Sequence, residues 1–176
     1  MEARILSREG KKDVLQIDHA EILPGSWRNF SGRPGKYNVA GQRSFTVKIE
    51  PEFVDVLADY GFNIKMRPAR DPQDEPLYYL KVKVNFREGY NGRRTGPTIH
   101  LETGNSNVIL EEDDLYLLDD AYIVDASMDI NPYNWGDKST GEYGITAYLS
   151  TMLVVQEVDR FSDYLPCDAS PEDEVF

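Results

Sequence analysis

Between Leu77 and Phe86 the chain reads LYYLKVKVNF. Tyr78, Leu80, Val82, Val84 and Phe86 alternate with Tyr79, Lys81, Lys83 and Asn85, so a strand here buries the first set and shows the second to solvent. RSFTVKIE, from Arg43, repeats the pattern with Phe45, Val47 and Ile49 inward. KKDVLQIDHAEIL sets Val14, Gln16 and Asp18 against Leu15, Ile17 and His19 and predicts a strand over 13–23. YIVDASMDINPYNW and YGITAYLSTMLVVQEV are long strand-like runs joined by GDKSTGE, a hairpin over 122–158. One segment breaks the period of two. After Pro51, well placed in the first turn of a helix, Phe53, Val54, Leu57 and Tyr60 fall on one helical stripe that Gly61 stops. NIKMRP predicts a short strand, ARDPQDEP a polar loop, TIHLETGNSNVIL two short strands or an irregular edge, and EEDDLYLLDDA a short helix at most. PGSWRNFSGRPGKYNVAGQ is a long loop punctuated by glycine and proline.

Five or more strands around one short helix predict an all-β fold with one or two short helices. Within that class a five-stranded OB-like barrel with extended loops leads over a sandwich. The strand pattern dissolves after Val158 into acidic, proline-containing sequence, so the expected division is a domain over 1–158 and a disordered tail over 159–176. No apolar run approaches the roughly 20 residues that cross a bilayer. The charged start MEARILSREGKKDVL predicts no secretion signal, and the lone Cys167 allows no disulfide within the chain; both point to a reducing intracellular compartment.

Charge changes the picture through its distribution. The net charge of −12 argues by itself against a polyanionic partner. Yet residues 157–176 hold seven acids and one base, half of that excess. Ile22 to Ile49 holds no acid at all and carries Arg28, Arg33, Lys36, Arg43 and Lys48. In this acid-free stretch Trp27, Phe30, Tyr37 and Phe45 interleave with the cations on a glycine-rich loop. Single-stranded nucleic acid wants that mixture: bases stack on aromatic faces for about 1–3 kcal/mol each, and Lys and Arg follow the phosphates. The competing reading makes Trp27 and Phe30 plugs for the barrel end and leaves the cations merely solvated. The solvent face of the 77–86 strand, Tyr79, Lys81 and Lys83 continued by Arg87, extends the positive surface, and Arg93 and Arg94 add to it from the next turn. Its competing reading is an edge dressed with lysine against unwanted strand pairing.

Candidate chemistry is sparse. Glu111–Asp114, with Asp119 and Asp120, has the composition of a two-metal nuclease, but neighbours on one short helix point apart, so a solvated face is the better reading. His19 and His100 have no cysteine partners for zinc, DINPYNWGDKSTGE lacks the ligand spacing of a calcium loop, Cys167 has no activating neighbour, and no Walker-type phosphate loop occurs. No catalytic residue, metal or cofactor is expected. The ending DASPEDEVF places Glu172, Asp173 and Glu174 before a terminal Phe176. Acids there would compete for a positive groove by Coulomb attraction, and the aromatic with its free carboxylate would anchor in a basic-rimmed pocket of a partner.

WRNFSGRPGKYNVAGQRSFTVKI, the helix and strand after it, and ILEEDDLYLLDDAYIVDASMDINPYNW with GITAYLSTMLVV resemble a widespread bacteriophage family of OB-fold single-stranded DNA-binding proteins. Arg28, Asn29, Phe30, Ser31, Gly32, Tyr37, Asn38, Gly41, Arg43 and Phe45 carry the resemblance, which covers most of 13–158. The acidic tail ending in Phe is similar in type to the tails of phage and bacterial single-stranded DNA-binding proteins, which recruit replication enzymes and compete with DNA. The resemblance implies a non-enzymatic, sequence-tolerant protein of phage DNA replication and recombination. It would act in the host cytoplasm, with single-stranded DNA and phage or host replication proteins as partners, no membrane, and a homodimer among the expected assemblies. The alternative is an OB-like protein-interaction or virion module that binds no nucleic acid.

Overall fold

The computed structural model of the chain describes residues 1–158. In chain order the strands are β1 (Glu2–Leu6), β2 (Val14–Ala20), β3 (Arg28–Asn29), β4 (Arg43–Ile49), β5 (Lys65–Arg67), β6 (Leu77–Val84), β7 (Arg87–Glu88), β8 (Arg94–Thr95), β9 (Thr98–Thr103), β10 (Ser106–Leu110), β11 (Ile123–Asp137) and β12 (Glu142–Gln156). One α-helix, α1 (Pro51–Tyr60), lies between β4 and β5, and 3-10 turns occupy Gly25–Trp27 and Glu112–Leu118. No helix among the described residues is long and apolar enough to cross a membrane.

Five strands form a closed ring. β2 pairs antiparallel with β11, β11 with β12, and β4 with β6. β12 joins β6 in parallel through Ala147–Val82 and Tyr148–Lys83. The last gap closes where the chain leaving β2 meets β4: Leu23 N–H donates to the Thr46 carbonyl at 3.0 Å, and Lys48 N–H to the Glu21 carbonyl at 3.0 Å. The result is the five-stranded OB-type barrel that the strand pattern predicts. Around Ser150 β12 changes neighbours, leaving β6 and pairing in parallel with β9 over 151–156. β10 then extends the sheet beyond β9, and β1 extends it beyond β2.

The alternation in the sequence sets the core directly. Leu15, Ile17, Phe45, Val47, Val82, Ile130 and Met152 are all buried. Leu57 of α1 is buried too, while Phe53, Val54 and Tyr60 pack half-buried against the same cluster, so the predicted stripe is the face turned to the core. The elements the pattern does not announce are small or lack a clean period: β1, the two-residue β3, and the β7–β8 ladder inside the basic turn 87–97.

Candidate nucleic-acid interface

Register fixes which side chains share the outer face. In β6, Tyr79, Lys81 and Lys83 point away from Leu80, Val82 and Val84. In β4, Ser44 and Thr46 lie opposite Lys83 and Lys81. The parallel pairing of Tyr148 with Lys83 carries the face onto β12, and the pairs Asn131–Tyr148, Tyr133–Thr146 and Trp135–Gly144 carry it onto β11. The long loop between β2 and β4 forms one wall. A hollow of about 770 Å³ lies between them, lined by Trp27, Arg33, Tyr37, Lys65, Tyr79 and Lys81 among others. It runs through Asn38, Ser44 and Lys81 into a second hollow of about 220 Å³ under Lys83, Asn85 and Tyr148. A third, of about 250 Å³, continues past Arg87, Asn131 and Ser150. The linings of all three bring together Arg28, Arg33, Arg43, Lys65, Lys81, Lys83 and Arg87 and contain no Asp or Glu. In a chain of net charge −12, an acid-free groove lined by cations is a local field of the opposite sign to the whole.

The expected site residues divide into three groups. Trp27 stands edge-on to Tyr79, ring centroids 4.9 Å apart, and both face the large hollow. Lys36 and Tyr37 are exposed at the loop tip, with the Lys36 ammonium 5.2 Å from the Tyr37 ring. Lys81 and Lys83 are exposed on the groove floor. Arg87 lines the third hollow, and Arg93 is exposed on the small ladder's turn.

Phe30 needs correction, because it lines none of the hollows, and Arg28 contributes to the wall of the large hollow only with its guanidinium turned inward. Phe30 is fully buried and stacks on Phe45 at 5.0 Å, so it is core. The Arg28 guanidinium is buried and donates to four backbone carbonyls, those of Ile22, Leu23, Leu118 and Ala121. Alternation explains both: Arg28 pairs with Phe45 of β4, whose side chain points into the barrel. For Phe30 the plug reading was the right one.

Arg43 and Arg94 form the third group. Both bind Glu112, Arg43 Nη1 at 3.1 Å and Arg94 through two nitrogens, with Nε at 3.0 Å from Oε2. The hydrogen bond from Arg94 pulls the Glu112 carboxyl below the usual carboxylate range against the opposing effect of burial. The acid cluster is therefore not a uniform solvated face. Glu112 ties two arginines to the barrel, and Asp119 is buried, its Oδ1 accepting the N–H groups of Phe30 at 2.6 Å and Ser31 at 3.3 Å.

Sequence reasoning missed Lys65, Asn38 and the aromatics of the β11–β12 hairpin. Tyr133 and Tyr148 meet edge-on at 6.0 Å. The Trp135 indole lies across Gly144, where a Cβ would come within 2.7 Å of the ring, so only glycine lets it lie flat there. Tyr133, Trp135 and Tyr143 are roughly half exposed. The period-two signal was legible there, but which side of the hairpin joins the groove depends on the β12–β6 register. The loop's own shape rests on a second close approach: Gly41 N–H donates to the Gly32 carbonyl at 2.9 Å, and a Cβ on Gly32 would sit 3.0 Å from the Gly41 Cα.

An OB-type barrel with an acid-free, cation-lined groove and flanking aromatics is the architecture of a module for single-stranded nucleic acid. A sequence model of the putative phage ssDNA-binding domain matches residues 7–166, and the chain belongs to that family of phage single-stranded DNA-binding proteins. Among solved structures it is similar to the single-stranded DNA-binding protein of bacteriophage Enc34 in complex with ssDNA, at 12% identity over 84% of this chain and 89% of that one, TM-score 0.49. The Enc34 protein alone matches over 98% of both chains at 11% identity and TM-score 0.48. For gp2.5, a single-stranded DNA-binding protein encoded by bacteriophage T7, the figures are 8% identity, 90% of this chain, 98% of that one and TM-score 0.45. No curated protein matches the chain significantly. Family membership rests on the match to residues 7–166.

Proposed function

We propose that single-stranded DNA lies along the outer face of β4, β6 and β12, with phosphates on Arg33, Lys65, Lys81, Lys83 and Arg87 and bases on Trp27, Tyr79 and Tyr148. The acid-free lining of the groove carries this reading. Tyr37 and Lys36 reach over from the loop tip, and Tyr133 and Trp135 prolong the path along the hairpin. Stacking accepts any base, so binding is sequence-tolerant. The protein acts without catalysis in phage replication and recombination in the host cytoplasm; of its acid cluster, Glu112 and Asp119 are engaged by arginine and backbone partners.

Residues 1–158 act as the DNA-binding domain and 159–176 as a separate acidic segment, although the family match continues to residue 166. That segment, with Glu172, Asp173, Glu174 and Phe176, lies outside the described residues. Its acid-rich sequence supports a role in shielding the groove and recruiting replication proteins. The deciding experiment compares a mixed-sequence oligonucleotide with its duplex across a salt series. A clear preference for the single strand, falling steeply with salt, is expected; equal or salt-independent binding refutes the groove.

A further inference from the structure

The loop that walls the groove is held at its root by two charged side chains that exchange backbone contacts. Arg28, on the loop side, donates Nη1–H to the carbonyls of Leu118 at 3.2 Å and Ala121 at 2.8 Å. It also ties the chain entering the loop, through Nη2–H to the Ile22 carbonyl and Nε–H to the Leu23 carbonyl, both at 3.2 Å. Asp119, between the two carbonyls across the gap, returns the contact by accepting from Phe30 and Ser31 N–H. Its second oxygen stands 3.5 Å from Arg33 Nε, so the same carboxylate also aims a groove cation. Both side chains are buried, Arg28 at 5% and Asp119 at 5% exposure. Burial lowers the Arg28 pKa from its ordinary value, and the charges of Asp119 and Asp120 oppose the shift.

Between Leu23 and Arg43 the chain has only a 3-10 turn and a two-residue strand of regular structure. Trp27, Arg33, Lys36 and Tyr37 all ride on it. A loop this poor in regular structure would have to be ordered by its ligand, at an entropic cost charged against affinity, unless something ordered it beforehand.

We propose that Arg28 and Asp119 are positioning residues that hold the 24–42 loop in its DNA-competent shape, so that DNA affinity depends on two charged groups that are spent on the protein's own backbone. The inference rests on the groove reading above, and its sign separates it from plain electrostatics. Removing a carboxylate beside a phosphate groove should tighten binding if Asp119 acts only through its charge. Removing the anchor of the loop should weaken it.

The test uses the full chain, a labelled oligothymidylate and the variants Asp119→Ala, Asp119→Asn and Arg28→Lys. Asp119→Ala is expected to bind about tenfold more weakly, the size of one or two groups ordered at the moment of binding. Its salt slope should differ from the parent's by no more than about 0.7, because Arg33 is the one groove cation among the described residues that this carboxylate holds. Asp119→Asn keeps an acceptor for Phe30 N–H and should recover part of the affinity. Arg28→Lys keeps the charge but not the fork of donors and should resemble Asp119→Ala. Trypsin reads the loop without DNA: cleavage after Lys36 should be faster in Asp119→Ala than in the parent. Affinity equal to or tighter than the parent, or unchanged cleavage, overturns the proposal. If Asp119→Ala does not fold, Asp119→Asn and Arg28→Lys are judged by the same two criteria. The variant Lys81→Gln/Lys83→Gln runs alongside: normal binding by that variant sinks the groove, whereas its loss with Asp119→Ala intact sinks only the lock.

Discussion

Replacing Lys81 and Lys83 together by Gln removes two charges from the groove floor and nothing from the core. Both side chains are exposed, and the β6 residues that hold the barrel are Leu80, Val82 and Val84 on the other face. Among the described residues, Lys65, Lys81, Lys83 and Arg87 line the groove with no ion-pair partner. They are free to displace counterions from a single strand, whereas Arg43 and Arg94 are held by Glu112. At about 0.7 per phosphate contact on single strands, these four cations contribute about −2.8 to the slope of log affinity against log salt, and the double variant should lose about half of that contribution. If the two contacts act only through counterion release, affinity drops about 60-fold near 50 mM salt and only about threefold near 500 mM. Fluorescence anisotropy of a labelled oligothymidylate over that salt range measures the slope, and a thermal melt confirms that the fold is intact. An unchanged slope refutes the assignment of Lys81 and Lys83 to phosphates, even if affinity falls for some other reason.

Tyr79→Ala should cost about 1–3 kcal/mol of DNA affinity, one stacking interaction, with little change in melting temperature; a large loss of stability would make the Trp27–Tyr79 pair structural instead. Trp135→Ala should shorten the length of DNA covered per protein in a stoichiometric titration, and an unchanged site size would remove the hairpin from the path. Phe30→Ala should lower stability by about 3–5 kcal/mol in denaturant, as expected for a fully buried ring stacked in the core; a near-neutral effect would contradict its burial. His19 donates Nδ1–H to Asp125 Oδ2 at 2.9 Å, and that hydrogen bond raises its pKa above 6.5. Because the folded value is the higher one, the stabilisation is complete below pH 6.5 and fades as pH rises through the raised value. An NMR titration should find the midpoint above 6.5 and returning toward it in Asp125→Asn.

Most of the barrel was legible because its strands obey a strict period of two with one buried face. β4, β6 and the long hairpin, together with α1 behind Pro51, were all recoverable from local pattern, and so was the concentration of cations between Ile22 and Ile49. Lys81 and Lys83 were placed correctly because alternation alone sends them away from Val82. What local pattern could not supply was the destination of side chains whose surroundings come from distant sequence. Arg28 and Phe30 sit in a loop without periodicity. Whether they met DNA or the interior depended on β3 pairing with β4 and on a carboxylate 89 residues away from Phe30. Glu112 looked like one solvated acid among several until the fold set Arg43 and Arg94 beside it from separate parts of the chain. Tyr148, Tyr133 and Trp135 share a face with Lys83 only because the parallel register of β12 on β6 puts Tyr148 next to it. Periodicity is a property of neighbours along the chain and survives reading one residue at a time. A groove is assembled from segments whose sequences carry no record of one another, and only closure of the barrel brings them to the same face.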